Sequence, residues 1–168
     1  MKKIKLSWSD AQGLCLEICR QLQQSNWLPD YVVGITRGGC SPAVLISQYL
    51  GVKCEMLKVS LRDGEETESN LWMAEDAFGY DMPSPKNILI VDDINDTGKT
   101  LQWIQEDWQR SCRPNDPHWQ EIWSKTTRTA CLVNNQTSQI EVDYFGMEIN
   151  KNEDESWVVF PWEDWWKN

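Results

Sequence analysis

The sequence predicts an α/β protein in which helices flank an open, mostly parallel and twisted β-sheet. Two strand–loop–helix units lead to this prediction. In the first, the branched apolar run at 88–91 is typical of a strand buried on both faces, and apolar residues at helical spacing follow from 101 to 108. In the second, a short apolar run at 31–35 leads into a loop and then a helix that Gly51 ends. Because ligands bind at the carboxyl ends of the strands in such sheets, the two loops are predicted to form the site.

The other predicted elements depend on apolar spacing and on turn residues. Ser7 and Asp10 resemble a capping box, which predicts a helix whose apolar residues recur as far as Leu22. The remaining predicted segments are a strand at 54–61, a hairpin strand at 70–73, a helix ending near Cys112, a strand at 127–133, a strand or turn at 142–149, and a closing segment at 155–163. No internal repeat or low-complexity segment interrupts this order, which indicates a single domain spanning residues 1–168.

The composition is ordinary for a globular domain, except for its charge. Of the 168 residues, 40% are apolar and 25% are charged, and the net charge is −10 with a pI of about 4.5. This balance argues against a nucleic-acid partner and against an anionic membrane surface, because both require clustered cations. Six scattered cysteines and one histidine argue against a zinc site. The lack of a signal peptide or a long apolar run predicts a reduced, cytoplasmic protein.

The loop after the run at 88–91 carries the residues that indicate chemistry. Asp92 and Asp93 end this strand, where they can accept hydrogen bonds from sugar hydroxyls or ligate a metal ion. The turn that follows offers backbone N–H groups, the Thr97 and Thr100 hydroxyls and a helix N-terminus, which together suit a phosphate. The residues alone also allow a metal-free acidic tip, in which the acid at position 96 only caps the helix.

Residues 88–100 resemble, without a gap, the signature with which type I phosphoribosyltransferases bind phosphoribosyl diphosphate (PRPP). That signature is an apolar strand, two acids, three variable residues, Thr-Gly, a variable residue and Thr. The resemblance implies that Asp92 and Asp93 hold the ribose hydroxyls and Mg²⁺. It also implies that the 5′-phosphate is bound by Asp96, Thr97, Gly98, Lys99 and Thr100. An acid at position 96 is similar to the branch that acts on 6-oxopurines, where this residue is the catalytic general base.

The loop of the second unit resembles the pyrophosphate-binding loop of the same family. Its two glycines allow backbone N–H groups to approach an anion, and its arginine adds a cation. The resemblance assigns pyrophosphate binding to Thr36, Arg37, Gly38 and Gly39. It also implies a cis peptide bond between the first two of them. Ser41 and Pro42 are expected to cap and open the helix that follows.

The last third of the chain resembles the base-binding hood of small oxopurine enzymes, here residues 134–168. The resemblance implies that the Tyr144 ring stacks on the purine and that the Phe145 backbone meets the edge of the base. The segment 157–163 looks like the closing segment of microbial members, whose Trp at a related place can stack instead. Its later aromatic residues are expected to belong to the core.

Three further features bear on the site. The polar and acidic stretch at 62–85 resembles the mobile loop that closes over the active site in this family. The Lys that family members place beside the purine 6-oxo group is replaced here by Asn134 or Asn135. Because an amide both donates and accepts, it discriminates between bases less sharply than an ammonium. The family's Mg²⁺-contacting acid has no clear match after the hood, where Asp154 is the nearby acid.

Together these inferences predict a Mg²⁺-dependent enzyme of purine salvage that transfers the phosphoribosyl group of PRPP to a purine base, a 6-oxopurine by the resemblance, and releases pyrophosphate. Its expected partners are these small molecules and further copies of the chain, in a homodimer or homotetramer. Two alternatives stay open. A transferase for another base is favoured by the missing Lys, and a non-catalytic regulator could sense PRPP or nucleotides through the same fold. Asp96 argues against the regulator, because sensing needs no general base.

Overall fold

The computed structural model describes residues 1–59 and 70–167, and these ranges contain seven strands and four α-helices. In chain order they are β1 (Lys2–Lys5), α1 (Trp8–Gln24), β2 (Tyr31–Thr36), α2 (Cys40–Leu50), β3 (Lys53–Lys58), α3 (Leu71–Phe78), β4 (Ile88–Asn95), α4 (Lys99–Ser111), β5 (Thr127–Asn135), β6 (Tyr144–Ile149) and β7 (Ser156–Val159). Short 3₁₀ segments lie at Pro117–Glu121 and Trp165–Lys167. None of the helices in the described ranges combines the length and apolar character needed to cross a bilayer.

Five of the strands form one parallel sheet in the order β3-β2-β4-β5-β6. The predicted open, parallel α/β sheet is therefore confirmed. β1 and β7 pair with each other in a separate two-stranded parallel sheet. The sequence did not predict β1, because its four residues are mostly exposed lysines without an apolar alternation.

Helices cover both faces of the central sheet. Val32 and Val91 pack towards α1 and α2, whereas Val33 and Ile90 pack towards α3 and α4. Successive strand residues thus point to opposite sides, and each side meets a helical layer. Burying one such side chain stabilises the fold by about 1.5–3 kcal/mol. This two-sided burial explains why the strands are apolar runs rather than alternating sequences.

The order in which successive strands are added to the sheet changes side at β2. The chain places β3 on one side of β2 and then crosses to the other side, where β4 pairs with β2 from Tyr31–Ile88 to Gly34–Val91. In an open α/β sheet, the crevice outside the carboxyl ends of the strands at such a switch point is where ligands bind. The topology therefore brings the loops after β2 and β4 together, although they are far apart in sequence.

The prediction of a hairpin strand at 70–73 is wrong. These residues begin α3, whose Met73, Ala74 and Ala77 are buried against the α4 side of the sheet. Tertiary burial of this short apolar face overrides the turn-rich composition around it. Part of the predicted mobile loop at 62–85 is therefore a packed helix, and its residues 62–69 lie outside the described ranges.

The residues predicted to form a hood, 134–168, belong to two different sheets in the structure. Its first residues, Asn134 and Asn135, end β5, and β6 is the fifth strand of the central sheet. The segment beyond β6, including β7, lies outside that sheet and pairs with β1. In this segment Phe160 is 2% exposed and stacks on Trp162 with the ring centres 5.1 Å apart, which confirms their expected place in the core.

Candidate active site

The loop after β4 opens the N-terminus of α4 to a cavity. Gly98 precedes the helix with a φ of 88° and has no side chain to cap it, and the first turn receives only a long hydrogen bond, from the Lys99 N–H to Thr97 Oγ1 at 3.4 Å. By contrast, Ser7 and Asp10 close the N-terminus of α1 with a full capping box, as predicted. The cavity has a volume of about 230 Å³ and is lined by residues 92–101. The first N–H groups of α4 therefore stay available to an anion, which is what a phosphate site requires.

The loop after β2 directs a second helix N-terminus towards the same edge of the sheet. α2 begins at Cys40, directly after Gly39, and no side chain caps it. The expected cap at Ser41 is wrong, because this residue already lies in the first turn. The peptide bond between Thr36 and Arg37 is cis, as the resemblance implied.

Two glycines let this loop lie directly against β4. A Cβ atom on Gly38 would be 2.0 Å from Asp93 Oδ2, and one on Gly39 would be 2.3 Å from the Val91 carbonyl oxygen. Both distances are far below van der Waals contact, so only glycine allows this approach. As a result, Asp93 and the loop residue Arg37 line one cavity of about 780 Å³.

Asp92 and Asp93 lie where β4 leaves the core, and both carboxyl groups are poorly solvated. Burial raises the pKa of Asp92 well above its usual value, and the adjacent Asp93 carboxylate raises it further. Burial also raises the pKa of Asp93. Backbone N–H groups compensate in part: that of Asp93 donates to Asp92 Oδ1 at 2.9 Å, and that of Ile94 donates to Asp93 Oδ1 at 2.7 Å. In the described ranges neither carboxylate has an ion-pair partner, so a cationic ligand would relieve an unfavourable charge.

The larger cavity is lined by acids as well as by an arginine. Besides Arg37, it is lined by Asp93 and by Glu163, whose charge adds to the burial that raises the pKa of Asp93. A diphosphate would enter such a cavity together with divalent cations. Asp92 and Asp93 fit Mg²⁺, which takes one or two carboxylates from a protein and its other ligands from substrate and water. Among the described residues, no cluster of three or more His, Cys, Asp or Glu could form an all-protein metal cage.

Asp96 lies in the loop between β4 and α4, where Asn135 and Lys151 both contact it. Asn135 Nδ2 donates to the Asp96 carbonyl oxygen at 3.0 Å and to its Oδ1 at 3.3 Å. Lys151 Nζ donates to Asp96 Oδ2 at 2.9 Å. Asn135 is only 5% exposed, whereas the Asp96 side chain is 40% exposed. The carboxylate is therefore fixed in orientation and still accessible to a ligand.

The amide oxygen of Asn134 already accepts a hydrogen bond within the protein. Asn95 Nδ2 donates to the Ile140 carbonyl oxygen at 2.8 Å and to Asn134 Oδ1 at 2.9 Å, and the Ser138 hydroxyl donates to Asn95 Oδ1 at 3.0 Å. Because a carbonyl oxygen can only accept, Ile140 determines the orientation of the Asn95 amide and thereby turns Asn134 Oδ1 towards it. The NH₂ group of Asn134 is what remains for a base.

Tyr144 is not at this edge of the sheet, and the structure contradicts its predicted stacking role. It is 5% exposed, and its ring stacks on Trp27 with the centres 6.4 Å apart. Its hydroxyl accepts a hydrogen bond from Arg128 Nη1 at 2.7 Å and lies 2.9 Å from Ser25 Oγ. β6 is parallel to β5 and begins opposite Ala130, and from there the Tyr144 ring extends back to Arg128 and to Ser25 at the end of α1, away from the carboxyl ends of the strands.

The backbone of Phe145 is also occupied within the fold. Its N–H donates to Gln21 Oε1 at 3.3 Å, and its carbonyl oxygen accepts from Gln21 Nε2 at 2.8 Å. One side chain of α1 thus satisfies both groups that were expected to meet the base edge. The base-binding roles predicted for Tyr144 and Phe145 have no support in this arrangement.

The residues that do meet near Asp96 come from the segment after β6. Lys151 Nζ lies 5.9 Å from the centre of the Trp157 ring, and Trp157 is 49% exposed. Unlike Tyr144, Trp157 is thus an exposed ring, and it stands next to the ammonium that contacts the Asp96 carboxylate. Lys151 was missed, because no local pattern places residue 151 beside residue 96. The only sequence signal for Trp157 was the resemblance of the closing segment.

The loops after β2 and β4 meet at one switch point, so the fold defines an α/β protein with a candidate ligand site at the carboxyl ends of its strands. Residues 7–165 match the model of the phosphoribosyl transferase domain. The chain belongs to this family and is a phosphoribosyltransferase.

Known relatives align with most of the chain. It is 22% identical to the hypoxanthine-guanine phosphoribosyltransferase of Schizosaccharomyces pombe, over 96% of this chain and 89% of the relative. It is 28% identical to the xanthine-guanine phosphoribosyltransferase of Cereibacter sphaeroides, over 79% of this chain and 68% of the relative. Among solved structures, a purine phosphoribosyltransferase from Pyrococcus horikoshii matches with a TM-score of 0.69 and 26% identity, over 98% of this chain and 96% of that one.

Proposed function

We propose that this phosphoribosyltransferase transfers the 5-phosphoribosyl group of PRPP to a 6-oxopurine base and releases pyrophosphate, in purine salvage. The observation that carries the proposal is the position of Asp96. Its carboxylate is held at the tip of the phosphate loop, beside the Lys151 ammonium, which in turn lies near the Trp157 ring. The relatives named for hypoxanthine, guanine and xanthine support the same class of base.

In the proposed reaction, the two loops hold opposite ends of PRPP. The N-terminus of α4 binds the 5′-phosphate, and Arg37 with the N-terminus of α2 binds the diphosphate. A ring nitrogen of the purine attacks C1 with its lone pair while the bond between C1 and the diphosphate oxygen breaks. Pyrophosphate leaves with the electron pair of that bond, and the proton of the purine ring N–H goes to the Asp96 carboxylate.

The paired acids have two roles in this proposal. Positive charge develops at C1 in the transition state, and the preorganised carboxylates of Asp92 and Asp93 stabilise it electrostatically. The same two residues would hold Mg²⁺ together with the ribose hydroxyls, and the ion would neutralise part of the charge of the diphosphate.

Compartment and assembly belong to the same proposal. We place the enzyme in the cytoplasm, where its six free thiols remain reduced. A homodimer or homotetramer stays a prediction. The net charge of −10 supports small-molecule partners rather than nucleic acid or an anionic membrane.

The proposal is tested by measuring pyrophosphate release with PRPP, Mg²⁺ and one base at a time: hypoxanthine, guanine, xanthine, adenine or uracil. Release should require PRPP, Mg²⁺ and an oxopurine, and the three oxopurines should differ in kcat/KM by less than about a hundredfold, roughly 3 kcal/mol. Binding of PRPP without release for any base would contradict the proposal and favour a sensing regulator. Release with adenine or uracil alone would show that the protein is a phosphoribosyltransferase for a base other than a 6-oxopurine.

Trp157→Leu is expected to raise the KM for the base about 5- to 100-fold, because stacking on one aromatic ring contributes roughly 1–3 kcal/mol. The KM for PRPP should stay within about twofold of the parent, since the loops that hold PRPP are unchanged. Trp157→Phe keeps an aromatic face and should lose little. Trp72→Leu removes another exposed tryptophan, 45% exposed in α3 and packed against Tyr31, and serves as the control. An unaltered base KM in Trp157→Leu would mean that the purine stacks elsewhere.

A further inference from the structure

Lys151 joins two parts of the chain that are far apart in sequence. It lies in the connection between β6 and β7, and its Nζ is 2.9 Å from Asp96 Oδ2 across 55 positions. The two side chains are 22% and 40% exposed, so a ligand can reach both charges. An accessible ion pair of this kind contributes little to the stability of a fold. Stability alone therefore does not explain why a cation is held on the candidate general base.

A buried amide positions both members of this pair. Asn135 Oδ1 accepts the backbone N–H of Lys151 at 3.3 Å, and its Nδ2 donates to the Asp96 carbonyl oxygen and to Asp96 Oδ1. Asn135 is 5% exposed and ends β5, so it belongs to the rigid part of the sheet. Support of charged groups by a buried, hydrogen-bonded residue is typical of a preorganised binding site.

The pair presents a donor and an acceptor side by side. An ammonium has three N–H donors, and a carboxylate has about four lone pairs, so the contact between Lys151 and Asp96 leaves some of both free. A complementary ligand has a carbonyl oxygen next to a ring N–H. The Lys151 ammonium lies over the Trp157 ring, 5.9 Å from its centre, and this ring is 49% exposed, so an aromatic side chain stands next to the pair.

We propose that Lys151 determines the base specificity of the enzyme. Its ammonium donates to the 6-oxo group of the purine while Asp96 accepts from the neighbouring ring N–H. This inference rests on the proposed function and names the residue that selects the base. Adenine carries an amino group in place of the carbonyl oxygen, so its donor would face the donors of Lys151, and unpaired polar groups in the site would reject it.

The position of Asn134 agrees with this assignment. Its amide oxygen is bonded to Asn95 in the sheet, and it carries no charge to attract a carbonyl oxygen. The end of β5 has no lysine at this position, and Lys151 in the connection between β6 and β7 provides the cation instead. An asparagine at position 134 therefore does not weaken discrimination between 6-oxo and 6-amino purines.

The test compares the binding of 9-deazahypoxanthine and 9-deazaadenine to the protein saturated with Mg²⁺ and PRPP, by isothermal titration calorimetry. Both ligands carry the ring N–H, and neither can accept ribose at carbon 9, so binding is measured without turnover. The parent should bind the oxo ligand at least about 100-fold more tightly than the amino ligand. Lys151→Met should lower this ratio at least about tenfold, mainly by weakening the oxo ligand.

Two variants control for charge and for loss of an ion pair. Lys151→Arg keeps the cation and should retain the ratio within about threefold. Lys125→Met removes a lysine that is paired with Glu121 at 2.6 Å outside the site, and it should leave the ratio unchanged. Lys151→Gln is measured beside Lys151→Met, so the conclusion does not depend on the folding of one neutral variant.

An unchanged ratio in the neutral variants, with PRPP binding retained, would show that another residue selects the base. That result would overturn the role of Lys151 and leave the proposed function intact. A parent that binds neither deazapurine and releases no pyrophosphate with any base would overturn the proposed function, and this inference with it.

Discussion

Asp96→Asn is expected to lower kcat by about 10²–10⁴-fold and to leave the affinity for Mg²⁺–PRPP within about threefold of the parent. A loss of this size corresponds to about 3–5 kcal/mol of transition-state stabilisation. The asparagine keeps the shape of the side chain and can still accept from Asn135, but its amide cannot take the proton of the purine ring N–H. Steady-state pyrophosphate release gives kcat, and calorimetric titration gives the affinity for Mg²⁺–PRPP.

Glu121→Gln is the matched control for this variant. It neutralises an acid that is also paired with a lysine, Lys125 at 2.6 Å, in the 3₁₀ segment between α4 and β5. Its turnover should equal that of the parent. If Asp96→Asn kept turnover within about threefold, Asp96 would not be the general base, and its loop would be a phosphate site alone.

The double variant Asp92→Asn/Asp93→Asn is expected to bind Mg²⁺–PRPP at least about 100-fold more weakly, a loss of roughly 2.7 kcal/mol, and to be more stable than the parent at neutral pH. Binding falls because the amides no longer attract the metal and accept less strongly from the ribose hydroxyls. Stability rises because two adjacent, poorly solvated charges are removed, whereas an amide oxygen can still accept the backbone N–H groups of Asp93 and Ile94.

The gain in stability has a defined dependence on pH. Folding raises the pKa of both carboxyl groups, chiefly through burial, so the folded state binds their protons more tightly than the unfolded state. Their contribution to stability is therefore present below the ordinary carboxyl pKa of about 3.9 and is lost as the pH rises through the raised values. The Tm difference between variant and parent should grow from about pH 4 to pH 8, by roughly 2–4 °C for each kcal/mol.

Scanning calorimetry without Mg²⁺ measures this difference, and the parent with and without Mg²⁺–PRPP provides the control for ligand stabilisation. A double variant less stable than the parent at pH 8 would show that the fold already compensates both charges. An unchanged affinity for Mg²⁺–PRPP would make the two acids structural.

The strand, turn and helix start that form the loop after β4 were predictable because their residues are contiguous. Asp92 and Asp93 lie in the second half of β4, which ends at Asn95, and the turn and the first residues of α4 follow directly. The backbone N–H groups of one turn act together on one anion, so their chemistry can be inferred from neighbouring positions. The loop at 36–39 was predictable for the same reason.

The base side was not predictable in this way. Tyr144 matched a stacking aromatic by sequence, yet its ring packs on Trp27 and its hydroxyl reaches Arg128, away from the carboxyl ends of the strands. Lys151 had no assigned role, yet its ammonium contacts Asp96. Both outcomes depend on how β6 and the segment after it pack, which no periodicity within these segments specifies.

The sequence by itself determined the fold class, the two loops after β2 and β4 and the candidate catalytic acid, because strand burial, glycine loops and helix starts are encoded in short, continuous patterns. Only the tertiary structure decided which cation and which aromatic ring stand beside Asp96. Those neighbours come from segments that meet across the sheet, and strand direction and register, rather than local spacing, determine which side chains share the site.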